Sequence, residues 1–372
     1  MAESRIILAL NSGSTSLKFA AFNVTSDAEQ AIIEGEIGGI GQRQGQTVLK
    51  DRDGKELQKR TNAIPSQESA MSEAAEMLGE YLPAEPAAVG HRIVHGGPEL
   101  RDHVIITPEV LEQLEAATHF APLHIPSALR IVRKAEQLYQ STTQIACFDT
   151  TFHKTMPEVA THLPLPTRYY EAGVRRYGFH GLSCESVLHR VTSPKPGKII
   201  IAHLGGGSSV TAVRDGRSID TSMGMTPTGG VPMSLRTGDL DPSVLIYLMR
   251  TENMSAETLE TMVNHHCGLV GISNGEADMQ ALLARTDYAA RLAVDIFTTE
   301  VRKRVGGYIA LMGGIDLMIF TGGIGQHSAV IRGRILDGLE SMGLSVATGK
   351  VRSLPAEEEI QIARHCRALL GQ

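Results

Sequence analysis

The chain has 372 residues and a net charge of -6 at pH 7. That length suits two domains, and the mild acidity argues against a nucleic-acid binder, which carries a basic excess or patch. No apolar run approaches the ~20 residues of a membrane span. The four scattered cysteines (Cys147, Cys184, Cys267, Cys366) lack metal-ligand spacing, and the apolar run in MAESRIILAL is too short for a signal peptide, so reduced thiols in the cytoplasm are expected.

The first predicted element is a strand-turn-strand unit, RIILALNSGSTSLKFAAF: apolar Ile6–Leu10, a small polar turn from Asn11 to Ser16, then apolar Leu17–Phe22. A polar stretch from Glu34 to Arg60 follows, with Asp53-Gly54 as a hairpin turn. Ser66 to Leu82 reads as a helix with Ser66 as N-cap and Ala70, Met71, Ala74, Ala75 and Leu78 on one face. AAVGHRIVHGG then reads as a short strand leading into a polar loop with His91, Arg92 and His95. An arginine just after a buried strand can grip a carboxylate or phosphate with two prongs, or it can be an ordinary surface ion pair.

Thr107 as N-cap and Pro108 in the first turn open a helix that ends near His119. Another helix is predicted from Pro126 to about Tyr139, and a strand from Gln144 to Phe148 that delivers Asp149 at its C-terminal end, a common place for a metal-side or catalytic carboxylate in open α/β folds. VRRYGFHGLS sets Arg175, Arg176 and His180 in a glycine-punctuated loop.

The stretch from Lys198 to Pro242 has a second strand-turn-strand unit, Ile199–Ala202, Gly205-Gly206-Gly207-Ser208-Ser209 and Val210–Val213. A glycine turn of this kind can aim backbone N–H groups at an anion, or it can be a plain tight turn. Setting Ala9 against Ala202 aligns Gly13 with Gly206, Ser16 with Ser209 and Leu17 with Val210 without a gap. Either this likeness is chance or the chain holds two similar domains, whose facing loops would clamp a phosphate chain. Asp220–Asp241 reads as a long loop with one basic residue, Arg236, near Asp239 and Asp241, and long structureless loops tend to be functional. A long helix from Ala289 to Met312 precedes DLMIFTGGIGQHS, read as a strand, a GGIG turn and a helix start, where a phosphate is physically natural. In the tail, Glu357, Glu358 and Glu359 suit the start of a final helix.

In order and spacing, NSGSTSLKF, GHRIVHGG, FAPLHIP, CFDTTFHKTMP, RRYGFHG, HLGGGSSV, DTSMGMTP, RTGDLDP, FTGGIG and EEEIQIAR resemble the acetate kinase family, within the sugar kinase, Hsp70 and actin superfamily. The resemblance implies an α/β fold of two duplicated ribonuclease-H-like lobes around a nucleotide cleft, with residues 1–148 and 360–372 in one lobe and 149–359 in the other. It implies reversible transfer of the ATP γ-phosphoryl group to acetate, giving acetyl phosphate and ADP, with Mg²⁺ or Mn²⁺, by a homodimer. By position, Ser14, Ser16 and Lys18 would line the N-terminal phosphate loop with Asn11. Asn11 and Glu358 would be the metal partners. Arg92, Arg236 and His180 would act on the acetate carboxylate and phosphoryl oxygens, and Asp149 would orient or lie on the metal side. Val94, Leu123, Phe179 and Pro227 match the pocket around the acetate methyl. The nucleotide would lie along His203, Leu204, Gly205, Gly206 and Gly207, then Asp278, Met279 and Gln280, then Gly323, Ile324, Gly325, Gln326 and His327.

The chain departs from the family pattern where the family usually has Asn for Gly206, Arg for Gln280, and Glu-Asn for Gln326-His327. These departures keep a pyrophosphate donor open. Propionate or butyrate is the alternative acceptor, though Val94 leans toward acetate. A non-enzymatic ATP-dependent clamp is disfavoured because Arg92 and Arg236 would have no obvious task in one.

Overall fold

The computed structural model describes residues 4–13, 15–192 and 195–371. The chain divides into two compact units, Met1–Thr151 with Glu357–Gln372, and Phe152–Ala356.

The first unit holds an eight-stranded sheet. Its strands are β1 (Arg5–Ser12), β2 (Ser16–Val24), β3 (Glu29–Gly38), β4 (Gly45–Asp51), β5 (Glu56–Asn62), β6 (Ala88–Ile93), β7 (Val104–Ile105) and β8 (Thr143–Phe148). Their order is β5-β4-β3-β2-β1-β6-β8-β7. β1 to β5 form antiparallel neighbours, whereas β1, β6 and β8 run parallel. The second unit holds β9 (Lys198–Leu204), β10 (Ser208–Arg214), β11 (Arg217–Thr221), β12 (Leu317–Thr321) and β13 (Val351–Ser353), in the order β11-β10-β9-β12-β13. Here too the first three strands are antiparallel and β9, β12 and β13 are parallel. The five strands β3-β2-β1-β6-β8 of the first unit repeat this order and these directions. The fold is therefore α/β with a duplicated ribonuclease-H-like sheet.

The duplication is real, but its gapless alignment is corrected. Ala9 pairs with Ala20, whereas Ala202 pairs with Val210. Val210 thus corresponds to Ala20 and not to Leu17: the first hairpin is three residues longer, and a gapless alignment cannot span loops of unequal length.

Helices cover the sheets because their apolar residues recur on one face. The Gln67–Gly79 helix starts at Ser66, whose side chain accepts from Ser69 N, and buries Ala70, Met71, Ala74 and Leu78. The Pro108–Ala116 helix has Thr107 as N-cap and passes into a 3-10 turn, Ala117–Phe120, which completes the stretch expected to end near His119. The Ile125–Leu138 helix follows. In the second unit the Tyr288–Met312 helix buries Phe297, Val301, Val305, Tyr308 and Met312 along one stripe against β9, β10 and β12. GGIG is not a turn before a helix: the Gly322–His327 helix begins at its first glycine. Asp220–Asp241 is irregular once β11 ends at Thr221. Among the described residues no helix is long and apolar enough to cross a membrane.

The Glu358–Leu369 helix returns to the first unit and packs on β1, β2 and β6. Glu357 is the N-cap residue, stands in the left-handed region at φ 43° and makes no side-chain cap bond, while Glu358 and Glu359 occupy the first turn as expected for a helix start. The helix seats on Gly90 of β6, where a Cβ would lie 2.4 Å from Ile362 Cγ2 and 2.5 Å from Cys366 Sγ. Gly90→Ala is therefore expected to cost about 1–3 kcal/mol through overpacking, measured as a fall in the denaturant midpoint; an unchanged midpoint would show that the helix can shift to make room.

Candidate active site

In the first unit, the ends of three adjacent strands and the last helix bring charge together. β1 supplies Asn11, β6 supplies Arg92, and Asp149 follows β8. Arg92 Nη2 lies 2.5 Å from Asp149 Oδ2, a carboxylate with no exposed surface, and Nε lies 3.7 Å from Glu358 Oε2. Arg92 Nη1 donates to Asn11 Oδ1 at 3.2 Å, and Asn11 Nδ2 donates to Glu358 Oε2 at 2.9 Å and Glu359 Oε1 at 2.8 Å. Burial works against the Arg92 charge, but Asp149 and then Glu358 outweigh it and raise the group above its ordinary value. Arg92 is a fixed cation.

Glu359 was foreseen only as part of a helix start. Its carboxyl is pushed up by burial and then by Glu358, against the opposing pull of Asn11 and Lys18. Three consecutive glutamates were the available signal, but spacing alone does not say which of them turns inward. Glu358 and Glu359 set two carboxylates against the Asn11 amide nitrogen, while the amide oxygen faces Arg92. Two hard carboxylate groups suit Mg²⁺, and Asn11 would add its oxygen with the amide turned. Burial first and the Glu358 charge second raise the Glu359 carboxyl, and a divalent cation would offset both.

The remaining first-unit positions are placed as follows. Lys18 is exposed on β2 opposite Asn11. Ser16 accepts the Gly13 N–H at its carbonyl, 2.8 Å, and Gln67 Nε2 donates to Gly13 O at 3.0 Å, a loop support that sequence reading missed. Ser14 lies outside the described residues. Val94 is buried and Leu123 exposed.

In the second unit, His180 is the residue before the Gly181–His189 helix and stands at φ 60°, ψ 29°. Its Nδ1 meets Ser209 Oγ at 2.9 Å, and its ring stacks on His203, centroids 4.1 Å apart. Ser183 Oγ meets His203 Nδ1 at 2.8 Å. A Cβ added to Gly207 would lie 3.2 Å from His180 Nε2 and 3.6 Å from Arg236 Nη1, so these two donors and the Gly205–Gly207 turn share one edge. Arg236 also donates to Pro227 O at 3.3 Å. Pro227 and Phe179 are both buried.

The loop bearing Arg236 is braced by Asp239, whose Oδ1 accepts from Gly230 N at 2.7 Å and whose Oδ2 pairs with Arg304. Leu204 is buried at the end of β9, and Gly206 is exposed with open space where a Cβ would stand. Asp278 caps the Met279–Ala284 helix through Ala281 N. Met279 packs in the core, so of this trio only Asp278 and Gln280 reach solvent. Gly323 and His327 are exposed, Ile324 and Gln326 half-buried, and Gly325 buried.

The acetokinase family profile matches residues 6–365. The chain belongs to the acetokinase family. A curated acetate kinase of Rhodopseudomonas palustris (strain TIE-1) is 37% identical over 388 residues, covering 97% of this chain and 98% of that protein. The crystal structure of the Porphyromonas gingivalis acetate kinase has a TM-score of 0.85 at 31% identity and covers 98% of this chain and 100% of that one. A propionate kinase from Francisella tularensis reaches 0.88 at 33% identity, covering 97% and 98%. This acetokinase-family chain is accordingly a kinase.

Two buried histidines give the acetokinase-family fold an acid limit. Burial pulls His91 and His153 down to about 4, against the hydrogen bonds they donate to the Gln144 amide oxygen and the Phe179 carbonyl respectively. In the unfolded chain a histidine titrates near ~6.5, so the unfolded state takes up protons first as pH falls. Stability present above that value is then lost on the way down to about 4, on the order of 3 kcal/mol per histidine. Urea midpoints measured across this window are expected to fall, and His91→Gln, which keeps a polar partner for Gln144, to flatten the fall; equal slopes in both proteins would refute it.

Proposed function

We propose that the enzyme transfers the γ-phosphoryl group of ATP reversibly to acetate. Acetate is ionised at neutral pH, carboxyl groups having pKa values near ~4, so it attacks without a general base. One acetate oxygen forms the new bond to phosphorus while the bond from phosphorus to the ADP oxygen breaks, and ADP leaves with the electron pair. Such a transfer needs positioning and charge neutralisation more than covalent help. The observation that carries the reading is the Arg92 guanidinium, held between Asp149 and Glu358 at the strand ends in a chain of this family. Arg92 meets the acetate carboxylate or the moving phosphoryl group; Arg236 and His180 donate to phosphoryl oxygens; Asp149 orients Arg92. Asn11 and Glu358 would hold Mg²⁺, which would supply positive charge to neutralise the transferring group. Val94, Leu123, Phe179 and Pro227 take the methyl, and the nucleotide follows the Gly205–Gly207, Asp278–Gln280 and Gly323–His327 segments.

Propionate is the second reading for the acceptor, supported by the likeness to the Francisella propionate kinase. One methylene in a pocket is worth only about 1–3 kcal/mol. Pyrophosphate is the second reading for the donor, supported by Gly206 and Gln280.

A homodimer is supported by the Pro242–Glu252 helix, none of whose residues is buried and which exposes Val244, Ile246, Met249 and Tyr247, the last 62% exposed. The paired change Ile246→Asp and Tyr247→Glu is expected to halve the mass seen by light scattering; a wild-type mass would exclude this face. A cytoplasmic location is supported by four free cysteines.

Hydroxylamine trapping of acyl phosphate, with acetate, propionate and butyrate against ATP, GTP and pyrophosphate, tests the reaction. Acetate with ATP is expected to be the best pair, and chelation of Mg²⁺ to abolish turnover; no acyl phosphate from any pair would remove the function and leave the fold standing. Arg236→Ala and Arg92→Lys are each expected to lower kcat by roughly 10²–10³-fold. Lysine is the better probe at Arg92 because alanine would strip buried Asp149 of its cation, at a cost of about 3 kcal/mol. Wild-type rates in either variant would sink that residue's role.

A further inference from the structure

The Thr151–Thr155 turn places His153 behind the loop that carries His180. His153 is buried, with Nδ1 2.9 Å from Ser218 Oγ and Nε2 2.9 Å from the carbonyl oxygen of Phe179. A carbonyl can only accept, so Nε2 carries the proton, and Nδ1 accepts from the Ser218 hydroxyl. The ring also packs directly on the loop backbone. Gly178 stands at φ +76°, and a Cβ there would lie 2.8 Å from the ring carbons Cγ and Cδ2 of His153 and 2.4 Å from Thr221 Cγ2.

Two residues on, His180 holds left-handed backbone angles, which a residue other than glycine keeps only where its surroundings over-determine them. Its side chain is fixed at the far side by Ser209. Its backbone entry is held by the bond from His153 to the Phe179 carbonyl, immediately before it, and by the Gly178 N–H donating to Gly224 O at 3.2 Å.

We propose that His153 is a positioning residue for His180: the Nε2–H bond to the Phe179 carbonyl sets the turn that aims the His180 imidazole along the Gly207 edge. This rests on the role in phosphoryl transfer given to His180 above. His153 touches no reacting atom in this scheme. Its contribution is to hold a donor where charge develops, and a displacement of about 1 Å in such a group can cost on the order of 10²-fold in rate.

Two amide substitutions separate positioning from packing. In His153→Gln the side-chain amide reaches the place of Nε2 and still donates to Phe179. In His153→Asn it reaches only the place of Nδ1, and the Phe179 carbonyl loses its donor. Both variants are expected to lose similar stability. His153→Asn is expected to lower kcat by about 10- to 100-fold with KM values for ATP and acetate little changed, whereas His153→Gln stays near wild type.

Histidine-labelled protein gives a readout independent of turnover, with His180→Gln identifying the His180 resonances. Their titration is expected to move in His153→Asn and not in His153→Gln. Equal kcat in the two variants, or an unmoved His180 titration in the Asn variant, overturns the proposal. If wild-type enzyme makes no acyl phosphate, the functional reading fails and the titration alone decides whether His153 sets the His180 environment. If the Asn variant does not fold, His153→Gln and Ser218→Ala carry the test. Both keep a donor at Phe179, and a loss of about 10²-fold in kcat in either one contradicts it.

Discussion

The first unit is organised around a guanidinium taken out of water. Removing a charge from solvent costs several kcal/mol unless partners replace the water. Arg92 finds them in Asp149, which has no exposed surface, and in Glu358. The cost has topological consequences. Asp149 has to stand at the end of β8, beside β6, and Glu358 has to be brought from the far end of the sequence. The final helix therefore returns to the first unit, and Gly90 is small so that the helix can lie close to β6. A positive charge held in place by its own fold needs no reorganisation when negative charge develops near it, and that is the main source of electrostatic catalysis.

The second unit uses the same strand order for a different set of groups. Where β1 ends in a charge cluster, β9 carries His203, one residue before its end, stacked on His180, with Ser183 and Ser209 holding the two rings. The hairpins differ too: Leu204 pairs with Ser208 across three residues, Ser12 with Leu17 across four. The sheet is the shared part, because buried strands tolerate little change in register. The turns are solvent-facing and free to diverge.

Most of the scaffold was legible in the sequence. Apolar runs gave β1, β2, β6, β8, β9, β10 and β12, while β3, β7, β11 and β13 were not foreseen. The caps Ser66 and Thr107 marked helix starts because a side-chain oxygen there satisfies an N–H that the helix leaves unpaired. Asp149 was legible from its place after a strand. The hairpin mismatch was not, since pairing depends on which backbone groups meet and not on residue type. Glu359, Gln67 and His153 were illegible for a related reason. Each acts through contacts with residues distant in the chain: Gln67 with Gly13, 54 positions away, Glu359 with Asn11, 348 away, and His153 with Phe179 and Ser218, 26 and 65 away. No periodicity records such a contact.

The departures from the family pattern fall on a separate layer of the structure. Gly206, Gln280 and His327 are exposed, and Gln326 is half-buried with its backbone carbonyl held by Arg332 Nη1 at 2.8 Å. Gly206 has room for a Cβ, so the glycine answers no steric demand of the fold. Surface changes of this kind usually alter stability by no more than about 0.5 kcal/mol. Arg92, Asp149 and His180 are bound into buried contacts whose loss would disturb the fold itself. Changes at the exposed tips alter what a ligand would touch and leave the charge cluster and the imidazole stack intact. Selectivity for a donor is a difference between affinities, so it can shift at those tips without any change in the groups that would move the phosphoryl.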